Sequence, residues 1–91
     1  MIHLVVETIL EGSQVRLRAL PEQSVSPEVR FSFSRALRNQ FPVGTLFEVW
    51  ASWVVPADQT AYLRVNESEA DRITTDRAKE MLATRGIERK V

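Results

Sequence analysis

The sequence predicts an α+β fold that is mainly β, a small curved sheet of five antiparallel strands that closes toward a partly open barrel, with two helices. Five segments alternate apolar and polar residues with a period of two, which is the pattern of half-buried strands. Glycine or proline stands in most of the turns between them. The strands are short, and closure of a sheet is how short strands avoid exposed edges.

The first two strands are predicted to form a hairpin. Residues 2–10 are rich in β-branched and other apolar types, and Gly12 lies in the turn that follows. Residues 14–20 then alternate cleanly, as a strand with one buried face does. The inward side chains are Val15, Leu17 and Ala19, and the outward ones are Gln14, Arg16 and Arg18.

A third strand is predicted at 28–34, after a surface loop that contains two prolines. Its inward side chains are Val29, Phe31 and Phe33, and Arg30 points outward. A short helix is predicted at 35–40, because Ser34 is a good N-cap residue and Pro42 ends the helical segment.

The central strand is predicted at 45–55, the longest strand candidate, in which Glu48 is the one charged residue, followed by an antiparallel partner at 60–65. One face of the central strand is entirely apolar and is predicted to be core. That face consists of Phe47, Val49, Ala51, Trp53 and Val55. The other face is mixed and includes Glu48 and Trp50, so we expect it to be half exposed. Glu48 is expected to pair with Arg64 across the hairpin.

The last helix is predicted to begin at Thr74 or Thr75 and to end at Gly86, with a narrow apolar stripe that packs on the sheet. The polar segment 66–71 before it is interpreted as a solvated loop or a frayed helix start. We expect one domain at 1–87 and a loose tail at 88–91. This order of elements is similar to SH3-like and OB-like barrels in architecture only, and no family motif is present.

The composition is that of an ordinary soluble domain, with 91 residues of which 44% are hydrophobic and 26% charged. Cysteine is absent, so neither a disulfide nor a thiolate metal site is available, and a reducing compartment fits best. The first residues lack a basic region, and their apolar run is too short for a signal peptide or a membrane span. We therefore expect a cytoplasmic protein with no membrane partner.

Charge and catalytic residues favour a binding role over chemistry. Twelve basic and twelve acidic residues cancel, which does not indicate a nucleic-acid or membrane partner. The single histidine, His3, is interpreted as a strand residue rather than as a base or ligand. The acidic cluster at 67–71 is interpreted as solvated surface. We expect neither enzymatic activity nor a cofactor or metal site.

The remaining candidate is a surface of aromatic and arginine side chains on the outward face of the sheet. The predicted binding residues are Trp50, Tyr62, Glu48, Arg16, Arg18, Arg30 and Arg64. Tryptophan, tyrosine and arginine dominate protein interfaces, so we expect a binding or protein-interaction module that could also associate with itself. The same residue types hold single-stranded nucleic acid, which is the second hypothesis. A small carboxylate-based enzyme is the third.

One structural alternative stays open for Trp50. The last helix could cover this side chain, with Met81 and Leu82 against it, in which case Trp50 would belong to the core and not to a binding surface.

Overall fold

The computed structural model describes residues 1–21 and 23–90, with side chains described except at 36–38 and 84–90. The fold is mainly β: a mixed six-stranded sheet curves into a nearly closed barrel, and one long helix lies at the C-terminal end. The strands are β1 (Ile2–Glu11), β2 (Gln14–Ala19), β3 (Phe31–Ser32), β4 (Leu46–Val54), β5 (Tyr62–Val65) and β6 (Asp71–Ile73). The helices are α1 (Arg35–Gln40) and α2 (Thr75–Lys90), with a 3₁₀ turn at Glu67–Glu69.

The first hairpin is confirmed. β1 and β2 pair antiparallel from Glu11 opposite Gln14 to Val6 opposite Ala19. Gly12 in the turn has a φ of 64°, a conformation that glycine adopts without steric cost.

β1 is a central strand, because its other edge pairs antiparallel with β4, from Ile2 opposite Ala51 to Glu7 opposite Leu46. The far edge of β4 is shared by two short strands. β5 pairs with its last residues, as predicted, and β6 pairs with its first residues, placing Asp71 opposite Glu48. The segment 66–71 was predicted to be a solvated loop or a frayed helix start; residues 66–70 are a loop with a 3₁₀ turn, but Asp71 begins β6, a strand that was not predicted. Three residues with two charges carry no alternating pattern, and backbone pairing with β4 makes them a strand.

The third strand differs from its prediction in length and direction. β3 has two residues in place of the seven expected, and it runs parallel to β5, with Phe31 opposite Leu63. The predicted antiparallel five-stranded sheet is therefore a mixed sheet of six strands. β3 is parallel to β5 and therefore runs opposite to β4. A parallel pair cannot be joined by a hairpin, and here α1 and β4 lie between the two strands in the chain. Phe33 is nevertheless buried, as the alternation predicted.

Side chains rather than a backbone ladder fasten the loop between β2 and β3. The Gln23 side-chain amide bonds the backbone of Val5 as a neighbouring strand residue would: the Val5 N–H donates to Gln23 Oε1 at 2.8 Å, and Gln23 Nε2 donates to Val5 O at 2.8 Å. Gln23 Nε2 also donates to Leu20 O at 2.9 Å. Further along, Arg16 Nη2 donates to Pro27 O at 3.3 Å. These bonds hold the two ends of the sheet near each other.

The main core lies inside the curved sheet. Its buried members are Leu4, Val6, Leu17, Ala19, Val25, Phe33, Phe47, Val49, Ala51, Leu63 and Val65. The predicted core face of β4 is correct as far as Ala51 and wrong beyond it, because Trp53 is 46% exposed and Val55 is 76% exposed. β1 pairs with β4 only up to Ala51, so Trp53 has a neighbouring strand on one side alone, and Val55 lies past the end of β4.

The predicted helix at 35–40 is confirmed as α1. Phe41, which follows it, packs edge-on against Phe47 with ring centroids 5.2 Å apart. The turn into β4 is then fixed by buried hydroxyl groups. Thr8 Oγ1 donates to Pro42 O at 3.1 Å and accepts from the Thr45 N–H at 3.1 Å.

α2 packs on the outside of the sheet in a second, smaller cluster. Ala78 and Met81 bury Val5, with Leu20, Leu46 and Ile73 packed beside them. Thr74 is the N-cap, since its Oγ1 accepts from the Arg77 N–H at 3.1 Å. The helix continues through Gly86, so the predicted stop there is wrong. The division into a domain at 1–87 and a tail at 88–91 stays a prediction, and Val91 lies outside the described residues. In the described part of the chain, no helix has the length and apolar character to span a membrane.

Candidate functional site

The candidate site is the part of the outer sheet face that α2 leaves uncovered. The helix covers the end of this face at Leu46 and Ile73. Side chains of β1, β4 and β5 remain open farther along the strands. We call these side chains the open patch: His3, Glu48, Trp50, Ser52, Tyr62 and Arg64. Strand register sets this grouping, because His3 lies opposite Trp50, Ser52 opposite Arg64, and Val54 opposite Tyr62.

Trp50 is the large aromatic side chain of the open patch and is 38% exposed. Its ring stacks on the His3 ring, with centroids 4.5 Å apart and planes inclined by 17°. Stacking on one face restricts the Trp50 rotamer, so the exposed face is held in position before anything binds to it.

Glu48 holds the histidine. His3 Nε2 lies 2.8 Å from Glu48 Oε1, across the β1–β4 pair and 45 residues away in sequence. The predicted pairing of Glu48 with Arg64 is wrong, because β4 places Arg64 opposite Ser52 and Asp71 opposite Glu48. The sequence predicted His3 to be a strand residue but did not reveal that β1 lies beside β4. Only that neighbour relation brings the imidazole to Glu48 and Trp50.

The structural alternative for Trp50 is wrong. Met81 packs on Val5, which lies opposite Glu48 and not opposite Trp50. α2 therefore covers the part of β4 near Leu46. Trp50 is four residues farther along, about 13 Å at the rise of a strand.

The predicted arginines are divided by the structure into paired and open ones. Arg18 Nε donates to Glu7 Oε1 at 3.1 Å, and Arg16 Nε lies 2.7 Å from Glu11 Oε2. Both arginines are on β2, which β1 separates from β4. They are therefore not part of the open patch, and their charges are already compensated.

Arg30 and Arg64 lie nearer to the aromatic residues. Arg30 lines a groove of about 850 Å³ between β3 and the segment before β5, and Tyr62 lines the same groove. Arg64 is exposed on β5, and among the described side chains it has neither an ion pair nor a hydrogen bond. Glu48 and Arg64 are thus brought near Trp50, whereas Tyr62, opposite Val54, lies four strand residues from it, about 13 Å, with Arg30 on the same groove as Tyr62. Their role in binding stays a prediction.

The chemistry available at this site is limited. Glu48 is the one side-chain hydrogen-bond partner of His3 among the described residues, so the imidazole is oriented by an acid but is not bonded to a nucleophile. Within the part of the chain that the structure describes, no three His, Asp or Glu side chains are grouped closely enough to hold a metal ion.

No protein-family model, curated protein or solved structure matches the chain.

Proposed function

We propose that the chain is a non-catalytic binding domain whose open patch contacts another protein surface. The observation that carries this proposal is Trp50, an aromatic side chain that is partly exposed in a strand centre and held by the stacked His3 ring. Tryptophan is among the residue types most enriched at the energetic centres of protein interfaces, where polar neighbours surround it. Here Glu48 and Arg64 supply those polar neighbours.

Charge favours a protein over nucleic acid as the ligand. Single-stranded nucleic acid needs a groove of free cations along its phosphates. Two of the four arginines predicted for such a surface, Arg16 and Arg18, are neutralised by Glu11 and Glu7. Glu48 and Asp71 add negative charge next to Trp50. Tryptophan, tyrosine and arginine are by contrast the composition of a protein hot spot.

A displayed library of random peptides provides the test, because such libraries select binders for preformed hot spots. We expect the selected peptides to lose about tenfold or more of their affinity for the Trp50→Ala variant, as hot-spot truncation does. The matched control is Trp53→Ala, which removes the other exposed tryptophan, on the opposite face of β4.

The affinities are measured by calorimetry on variants whose circular dichroism matches that of the original chain. Peptides that bind the original chain and both variants equally would show that the open patch is not the binding site. Peptides that lose affinity only for Trp53→Ala would place binding on the opposite face and contradict the proposal.

A further inference from the structure

Two exposed charges of opposite sign flank Trp50 along the same edge of β4. Arg64 lies opposite Ser52, and Asp71 lies opposite Glu48, so each is two residues from the Trp50 position, in opposite directions. Neither side chain has an ion pair or hydrogen bond among the described residues. Arg64 and Asp71 thus lie at equal spacing on either side of the aromatic centre.

These two groups do not pair with each other within one chain. Their register positions are four strand residues apart, about 13 Å, and the described side chains form no ion pair between them. The 3₁₀ turn Glu67–Glu69 lies between β5 and β6 beside Trp50, since the Asn66 N–H before it donates to Trp50 O at 2.8 Å, and it carries two more exposed carboxylates. Asp71 lies opposite Glu48, which contacts His3, and has no cationic partner among the described residues, so a cation from outside would supply one.

A second copy of the chain would supply that cation. Consider a two-fold axis between two facing sheets that passes over Trp50, parallel to the sheets and perpendicular to the strands. Rotation about it reverses the strand direction and leaves the β5–β6 edge of one copy over the same edge of the other. The operation brings the Arg64 position of one copy over the Asp71 position of the other, and the converse pair forms at the same time. The Trp50 rings of the two copies meet near the axis. An isologous contact of this kind requires a self-complementary surface, which Arg64 of the open patch and the neighbouring Asp71 provide on either side of Trp50.

We propose that the open patch binds a second copy of this chain, with Arg64 of each copy paired with Asp71 of the partner subunit and Trp50 at the centre. This inference rests on the proposed function, since it names the protein that the same surface contacts. The zero net charge of the chain is compatible with it, because two copies do not repel each other overall.

The first measurement is the mass in solution as a function of concentration. By sedimentation equilibrium between about 10 µM and about 1 mM, the range in which small interfaces assemble, we expect the mass to rise from 10.4 kDa toward twice that value. Trp50→Ala should keep the chain monomeric, whereas Trp53→Ala should associate as the original chain does. A chain that is monomeric throughout the range would overturn the inference.

Charge reversal tests the pairing itself. Arg64→Asp alone and Asp71→Arg alone should each weaken association about tenfold or more, because like charges then face each other twice in the dimer. The double variant Arg64→Asp/Asp71→Arg should associate again, since both pairs are restored with reversed sign. Most specifically, an equal mixture of the two single variants should form a heterodimer, because one carries only acids and the other only arginines at the paired positions.

Association of the mixture no stronger than that of each single variant would contradict the proposed pairing. Both positions are exposed, so we expect the variants to fold, which circular dichroism checks. Arg64→Glu with Asp71→Lys provides a second pair of variants if one of the first does not fold. If the chain is monomeric while library peptides still require Trp50, self-association fails and the proposed function stands. If no peptide requires Trp50 either, both fail.

Discussion

Replacing Trp50 by alanine should cost much less stability than replacing Phe47 by alanine, although both residues are large aromatics on the same strand. Phe47 is 1% exposed and packs edge-on against Phe41, so its truncation leaves a cavity and should cost about 3–5 kcal/mol. Trp50 is 38% exposed. It loses the stacking with His3, about 0.5–1.5 kcal/mol, and part of the apolar burial of its ring, so we expect about 1–3 kcal/mol in total.

Urea unfolding followed by circular dichroism measures both losses, because the midpoint shifts with stability at constant slope. A double-mutant cycle with His3→Ala isolates the stacking energy and should give a coupling of about 0.5–1.5 kcal/mol. A loss for Trp50→Ala equal to that for Phe47→Ala would refute the reasoning. Trp50 would then be a core residue, and the open patch would lose its centre.

Two further predictions concern the loop after β2 and the ligand class. Gln23→Glu should lower the free energy of unfolding by about 1–3 kcal/mol, because a carboxylate cannot donate to Val5 O or Leu20 O. Val5 O keeps the Leu20 N–H as a donor, whereas Leu20 O loses the Gln23 amide. Gln59→Glu, in an exposed turn, is the control, and equal losses in thermal unfolding would contradict this role of Gln23. Oligothymidine should show no Trp50-dependent binding at about 0.15 M salt, because few unpaired arginine side chains are available to contact its phosphates. Tight Trp50-dependent binding in a fluorescence titration would support the nucleic-acid hypothesis instead.

Local patterns predicted the local parts of the fold. The β1–β2 hairpin, α1 and the β4–β5 pair each join segments that are close in sequence, where turn residues and alternation act together. The alternation also placed Phe47 and Val49 in the core and Glu48 and Trp50 on the other face. It could not show where a neighbouring strand ends, which is why Trp53 was expected to be buried and is not.

Non-local pairings could not be predicted from alternation. The contact of His3 with Glu48 depends on β1 lying beside β4, and no residue near His3 encodes that choice. β6 is likewise a strand because of the partner it meets, since its Asp-Arg-Ile sequence has no alternating character. The interpretation of His3 as an ordinary strand residue missed its place in the site for the same reason.

The position of β1 between β2 and β4 has a consequence for folding kinetics. β2 follows β1 directly, whereas the residues that pair across β1 and β4, such as His3 and Trp50, are far apart in sequence. A hairpin alone is marginally stable, so the β1–β2 hairpin becomes stable only when β4 pairs with β1. That pairing requires closure of the long chain segment between β1 and β4. Topologies dominated by such distant pairings fold in about milliseconds to seconds. During that interval the apolar side of the first hairpin is uncovered, and this is the stage at which the chain is most exposed to aggregation.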